Sequence, residues 1–479
     1  MKLDRESSVP LFRQIASYFE KRIINGELSP GMPLPPERKL AEQVGVHRDT
    51  ITAAYEELRA AGLIQSVRGS GTRVSEHLWG LSLKSFPNWH QYTNGGFFLP
   101  TRPLVKRMKE AGKEHNTINL AGGEPSPDLL PSKTIDSLLR QLSLPFPLGY
   151  PDPKGEKTLR RALSAHLMLN YGITADPDEI LITSGAQQAL LLIAQCLLRP
   201  GDAIAMEGPS YTYSLPLFAS AGLRLFRLPL DEQGLLPDEV VNVYRKHRIR
   251  MVFTNPTYQN PTGTTLSLTR RKQLLTICEE LRLPIVEDDA YGALTLGKSP
   301  APPPPLHALN RQEGMVMYVG SLSKTVAPGI RIGWIIGSRA VIERLADAKQ
   351  QMDFGTSAIL QQLAQMYLSS TQWETHVKEL RASLTFRRDA MLNALEAVVG
   401  DQVKWTVPSG SYHMWCRIPW EVDEEKLMEC GIKNGVLFSP GGVYGAEKGF
   451  VRLTFAGADE ATIEEGIRRF GRAIRSVSS

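Results

Sequence analysis

Cysteine is scarce: four residues in a chain of 479, Cys196, Cys278, Cys416 and Cys430, with no two at the short spacing of a zinc site or a disulfide framework. Reduced thiols and a cytoplasmic location are expected. Long apolar runs are missing too. The longest stretch, Ala189 to Leu198, is interrupted by Gln195 and is too short to cross a bilayer. The opening MKLDRESS lacks the apolar centre of a signal peptide, so a soluble protein with no membrane role is expected. Excess charge of one sign is small: 55 Lys and Arg face 50 Asp and Glu, a net +5, which permits a polyanionic partner without indicating one. The hydrophobic fraction, 42%, supports a sizeable core, and the length exceeds the ~150 residues of a typical domain, so more than one folding unit is expected.

Three helical patterns precede residue 62. The first carries Leu11, Ile15, Phe19 and Ile23 at four-residue spacing, one apolar stripe. After the loop GELSPGMPLP, a short helix is predicted from about Glu37 to Val44. Gly45 supplies the break, and a third helix runs from about Arg48 to Ala60. Helix, Gly-containing turn and helix is the helix-turn-helix arrangement, and LIQSVRGSGTRV after it reads as a two-stranded wing. With Ile51, Ala54, Tyr55 and Leu58 turned inward, His47, Arg48 and Thr50 are left at the amino end of the third helix, the part that enters a major groove. Arg38 lies where a phosphate backbone would cross. Arg68, with Gly69 and Gly71, would let the wing approach phosphate or minor groove. Residues 1–77 hold 11 Lys and Arg against 10 Asp and Glu, a weak electrostatic footprint, so a protein-interaction module is the competing reading of this pattern.

Residues 78–96 sustain neither helical nor strand periodicity yet contain Trp79, Phe86, Trp89 and Tyr92, the signature of a linker that docks. From about residue 97, strand-like and helical runs alternate: EILIT, AQQALLLIAQCLL, DAIAME, RMVFTN, RRKQLLTICEEL and LPIVEDD. That alternation predicts a parallel sheet covered by helices on both faces, with a separate α+β lobe over about 357–479.

Four segments in this region leave the carboxyl ends of predicted strands, where open α/β sheets bind ligands. YVGSLSKTVAPGIRIGW places Lys324 in a small-residue turn with Arg331 seven positions on. The amine can form an imine with an aldehyde, and Ser321, Ser323 and Arg331 suit a phosphate. In LPIVEDDAY, Asp288 can hold a ring nitrogen protonated and Tyr291 can turn its phenol to the same ring. Asn260, in NPTYQNPTG, can donate to a ring oxygen. In TSGAQQAL, Ser184, Gly185, Ala186 and Gln187 stand between strand and helix, where free N–H groups face an anion. Singly, each is more simply a capping group, a helix start or a surface lysine.

Taken jointly and in this order, these segments resemble pyridoxal-phosphate-dependent class I aminotransferases of fold type I, over about 97–479. The stretch from PLFRQIASYFEKRI to RGSGTRV resembles the winged-helix domain of GntR-type regulators. The whole chain therefore resembles the MocR subfamily of bacterial regulators. That resemblance implies pyridoxal 5'-phosphate as an internal aldimine on Lys324, ring nitrogen on Asp288, and ring oxygen on Asn260 and Tyr291. It implies phosphate on Ser184 to Gln187, Ser321 and Arg331, and Tyr211, in EGPSYTY, stacked on the ring. Arg452, in FVRLTFA, matches the arginine that pairs with an amino acid's carboxylate, and Tyr150 matches a tyrosine reaching the phosphate of the other protomer. It also implies DNA contacts from Arg38, Arg48, Thr50 and Gly69, and a domain-swapped homodimer. The expected function is regulation of transcription on double-stranded operator DNA, with an amine effector sensed by aldimine exchange at Lys324. A working aminotransferase with an accessory DNA-binding domain is the alternative.

Overall fold

The computed structural model describes residues 3–478 apart from 6, 8, 68–70, 77–95, 115, 144–148, 311–313 and 421. Residues 78–95 of the expected linker and the wing residues Arg68 and Gly69 lie outside the described residues. The chain divides into two compact units, Met1–Phe97 and Phe98–Ser479.

The first unit contains α1 (Leu11–Ile24), α2 (Glu37–Val44), α3 (Arg48–Ala60) and an antiparallel hairpin of β1 (Ile64–Val67) and β2 (Gly71–Val74). Gly45 caps α2 at φ 67°, a left-handed conformation that costs a glycine little, and so turns the chain directly into α3. Ile51, Ala54, Tyr55 and Leu58 of α3 are buried against Ile15, Phe19 and Ile23 of α1. Tyr55 closes the core by donating its hydroxyl to the Pro35 carbonyl at 2.8 Å, which satisfies the polar atom of an otherwise apolar position.

The second unit is built on a seven-stranded sheet. In chain order its strands are β3 (Ile180–Thr183), β4 (Ala203–Glu207), β5 (Arg224–Leu228), β6 (Val252–Thr254), β7 (Ile285–Asp289), β8 (Val316–Ser321) and β9 (Gly333–Ile336), arranged β3-β9-β8-β7-β6-β4-β5. The expectation of a purely parallel sheet is corrected at one strand: β9 runs antiparallel to both neighbours. The connection 322–332 contains only a 3-10 turn, Pro328–Ile330, and no crossover helix to carry the chain back to the start of the sheet. Insertion of β9 brings Ser321 and Thr183 to the same residue, Gly333, and so joins the Lys324 turn to the Ser184 turn.

A second, antiparallel sheet is formed by Lys404–Thr406, His413–Arg417, Phe450–Thr454 and Ser439–Pro440, in that order across the sheet. Helices Gln372–Val398 and Glu460–Ser478 complete this lobe, whose core includes Leu384, Met391, Leu453 and Ile467. It is not a contiguous carboxyl-terminal piece, because Val436–Leu437 pairs in parallel with Ile118–Asn119. Helix Ala358–Leu368, expected in this lobe, packs with the large sheet instead. Its Leu363, Ala364 and Tyr367 share one apolar cluster with Leu159, Leu163 and Ile182. No helix among the described residues is long and apolar enough to cross a membrane.

Candidate functional site

Lys324, Asp288, Asn260 and Ser184 all lie at the carboxyl edge of the large sheet, as the spacing predicts, and the second lobe adds Arg452, Tyr412 and His413. The Lys324 ammonium donates to the Gly123 carbonyl and lies 6.0 Å from the centroids of the Tyr291 and Tyr412 rings. Burial, with the positive charge of Arg452, pulls the amine down to about 8 from its usual 10.5. Tyr412 donates to the Lys324 carbonyl and holds the turn on which the lysine stands.

Asp288 is 6% exposed, and Tyr211 donates to its Oδ2. Its Oδ1 is buried without a hydrogen-bond partner among the described residues. Burial is the main reason that the carboxyl is pushed up to about 6, with the Tyr211 hydrogen bond opposing and the neighbouring Asp289 and Glu207 adding to the rise. Strand alternation separates the three acids of β7. Asp288 turns to Tyr211 on one face, while Glu287 takes the Leu306 and His307 N–H groups, and Asp289 those of Gly292 and the Tyr318 hydroxyl. Glu287 also lies 3.8 Å from the fully buried Arg271 and is still pushed up to about 7 by burial.

Asn260 accepts from Arg452 at 2.9 Å and donates its own N–H to the Asn255 amide oxygen at 2.9 Å. Arg452 also donates to the Ala121 carbonyl at 2.6 Å and stacks 4.8 Å from the Tyr444 centroid, and its buried Nε has no partner among the described residues. Tyr291 meets the His413 ring nitrogen at 3.1 Å.

At the opposite end of the site, Arg331 donates to the Ser184 carbonyl at 2.7 Å, and Ser321 bonds Ser323 at 2.9 Å. Gly185 caps the helix Ala186–Leu197 at φ 83°, and Gln187 stands exposed on its first turn. The first N–H groups of such a helix have no intrahelical acceptor and carry the positive end of its dipole. A Cβ at Gly185 would meet Arg331 Nη2 at 2.6 Å. Gly185→Ala is therefore expected to displace the guanidinium as well as strain the backbone. In phosphate titrations of the apoprotein, followed by calorimetry, it should weaken binding by at least about tenfold, the ~1.5–3 kcal/mol of one charged hydrogen bond.

Tyr150 is not part of this cluster. It is 85% exposed, with its ring 5.1 Å from that of Phe354. Sequence reasoning missed His413, Tyr412, Asn255 and Glu207. Asn255 donates to the Asp288 carbonyl at 2.6 Å, and buried Glu207 accepts the Asn255 N–H at 3.1 Å. The TNPT segment offered a signal for Asn255, whereas His413 heads an apolar strand and reads as core.

In the small unit, Arg48 is exposed and 3.6 Å from Glu37, and Glu37 also lies 3.6 Å from Arg59 and accepts from Thr52 at 3.0 Å. Arg38 pairs with Glu42 at 3.6 Å, His47 with Asp49 at 3.1 Å, and Thr50 is half-buried with its N–H on the His47 carbonyl. Glu37 was not anticipated.

Comparison with known proteins agrees with this architecture. Residues 115–470 match the family described as aminotransferase class I and II, and residues 11–74 the bacterial regulatory proteins of the gntR family. The chain is 38% identical over 475 residues, 98% of each chain, to the uncharacterized HTH-type transcriptional regulator YdfD of Bacillus subtilis (strain 168). It is 35% identical over 382 residues, 78% of this chain and 91% of the other, to aromatic-amino-acid aminotransferase 1 of Thermococcus litoralis. The crystal structure of Pyrococcus horikoshii kynurenine aminotransferase, complexed with PMP, superimposes with a TM-score of 0.75 at 34% identity. It covers 84% of this chain and 99% of that one. The chain belongs to the class I and II aminotransferase family and joins that domain to a gntR-family DNA-binding domain, the organisation of a MocR-type transcriptional regulator.

Proposed function

We propose that the large domain holds pyridoxal 5'-phosphate on Lys324 and that displacement of this lysine by an amino compound alters DNA binding by the winged helix. The observation that carries the reading is the buried, partnerless Oδ1 of Asp288, in a site that also contains a lysine whose amine is brought down to about 8. A protonated ring nitrogen would satisfy that oxygen. When bound, the group supplies an aldehyde that condenses with amines and a ring that accepts electrons. Lys324 anchors it, Asp288 keeps the nitrogen protonated, and Tyr211 holds the carboxylate in place. Ser184 to Gln187, Ser321, Ser323 and Arg331 receive the phosphate, while Asn260 and Tyr291 face the ring oxygen. Arg452 offers an incoming carboxylate the planar donor pair that only a guanidinium presents.

The relatives named as regulators support a sensing role over turnover, and the gntR-type unit supplies the output. Tyr150 and Phe354, exposed side by side at 85% and 55%, suit a homodimer in which Tyr150 completes the partner's phosphate site. The test is an absorption titration with candidate amines, run in parallel with a gel shift on operator fragments. A visible band that shifts with amine, together with a changed DNA complex and no sustained turnover with a keto acid, is expected. Steady turnover with unchanged DNA binding would instead make this an aminotransferase. On the DNA side, Arg48→Ala is expected to weaken operator binding by ~1–3 kcal/mol if Arg48 reads a base edge. A loss equal on operator and random duplex would reassign it to phosphate.

A further inference from the structure

Tyr291, His413, Thr454 and Gly122 form one line of hydrogen bonds running from the site into the second lobe. The Gly122 carbonyl can only accept, so the Thr454 hydroxyl, which lies against it, must donate there. With its proton committed, Thr454 Oγ1 can only accept from His413 Nδ1, 3.2 Å away. The imidazole is fully buried among Arg452, Lys324, Tyr291 and Tyr412, and burial together with the two cations keeps it neutral. A neutral ring that carries its proton on Nδ1 has a bare Nε2, which faces the Tyr291 hydroxyl at 3.1 Å. The other neighbour of Tyr291 has a fixed sense as well. Arg452 has no acceptor atoms, so Asn260 must turn its oxygen to Arg452, which leaves its two amide hydrogens on the other side, one for the Tyr291 phenol and one for the site.

We propose that His413 is a positioning residue that fixes the direction of the Tyr291 proton, so that Tyr291 presents an accepting oxygen to the site and Asn260 supplies the donor there. This goes beyond the proposed function and rests on it only for the identity of the group facing Tyr291, since the relay is a property of the chain itself. The consequence is a preference for a ligand atom that carries a proton where it meets Tyr291. Removing His413 would release the phenol to donate instead, and would favour an anionic oxygen at that place.

The test uses full-length protein with 15N-labelled histidine, with and without added pyridoxal phosphate. The chain has nine histidines, and the His413 signal is the one lost in His413→Gln or His413→Phe, of which either folded variant suffices. It is expected to be that of a neutral ring protonated on Nδ1 alone in the protein without cofactor. A ring protonated on Nε2, or on both nitrogens, would overturn the proposal. In the coloured protein, His413→Phe should move the pH midpoint of the visible band down by about one unit, the scale of one hydrogen bond to a charged form. In a Tyr291→Phe background the same change should move nothing, and His413→Gln, which keeps an accepting oxygen, should restore the midpoint. Equal shifts in both backgrounds would overturn the relay. A protein that stays colourless would sink the cofactor reading and leave the 15N result to decide this one.

Discussion

Lys324→Ala should leave the purified protein colourless after incubation with pyridoxal phosphate, insensitive to amines in gel shifts, and still able to bind DNA. The effect is expected to be all or none for the visible band, because an imine needs an amine and alanine has none. The wild-type amine carries a second, graded expectation. A protonated ammonium cannot attack a carbonyl, and burial with Arg452 sets the amine near about 8. The rate of colour formation should therefore rise about tenfold per pH unit below that value and level off above it. Stopped-flow absorbance across the range checks the sign. A rate that falls with rising pH would mean that Lys324 is not the attacking group.

Asp288→Ala should rank next. The carboxylate is buried, one of its oxygens is satisfied by Tyr211, and the other has no partner among the described residues. Its removal takes away the β7 carboxylate that faces Tyr211, the one the proposed function pairs with a ring nitrogen. The loss of a charged hydrogen bond, ~1.5–3 kcal/mol, corresponds to cofactor retention weaker by about 10–100-fold. Asp288→Asn keeps the shape and contact with Tyr211 but not the charge, and is expected to lose nearly as much. Equilibrium dialysis in the presence of phosphate measures both. Retention equal to wild type in Asp288→Asn would show that the charge does not hold the ring.

The parts legible in the sequence are those fixed by local rules. Periodicity set the stripe Ile51, Ala54, Tyr55 and Leu58, and Gly45 marked the turn because a left-handed position favours glycine. Lys324, Asp288, Asn260 and Ser184 could be placed together because strand ends in such a sheet share one edge. What escaped depends on distant partners. His413 meets Tyr291 across 122 positions of sequence, and Tyr412 meets the Lys324 carbonyl across 88. No window of sequence contains either pair. Glu37 went unnoticed for the same reason, since its neighbours Arg48 and Arg59 reach it only once α2 and α3 have packed. The reversal of β9 is likewise a matter of connection, because its residues read as any buried strand.

The three acids of β7 also make the site sensitive to a change of one residue in the length of the chain before the strand. A deletion or insertion of one residue ahead of Ile285 would carry the strand's side chains across to the opposite faces, so that Glu287 or Asp289 would meet Tyr211 and Asp288 would point at Arg271. A slip of one position would thus exchange the partners of all three acids at once, whereas a single conservative substitution alters one interaction.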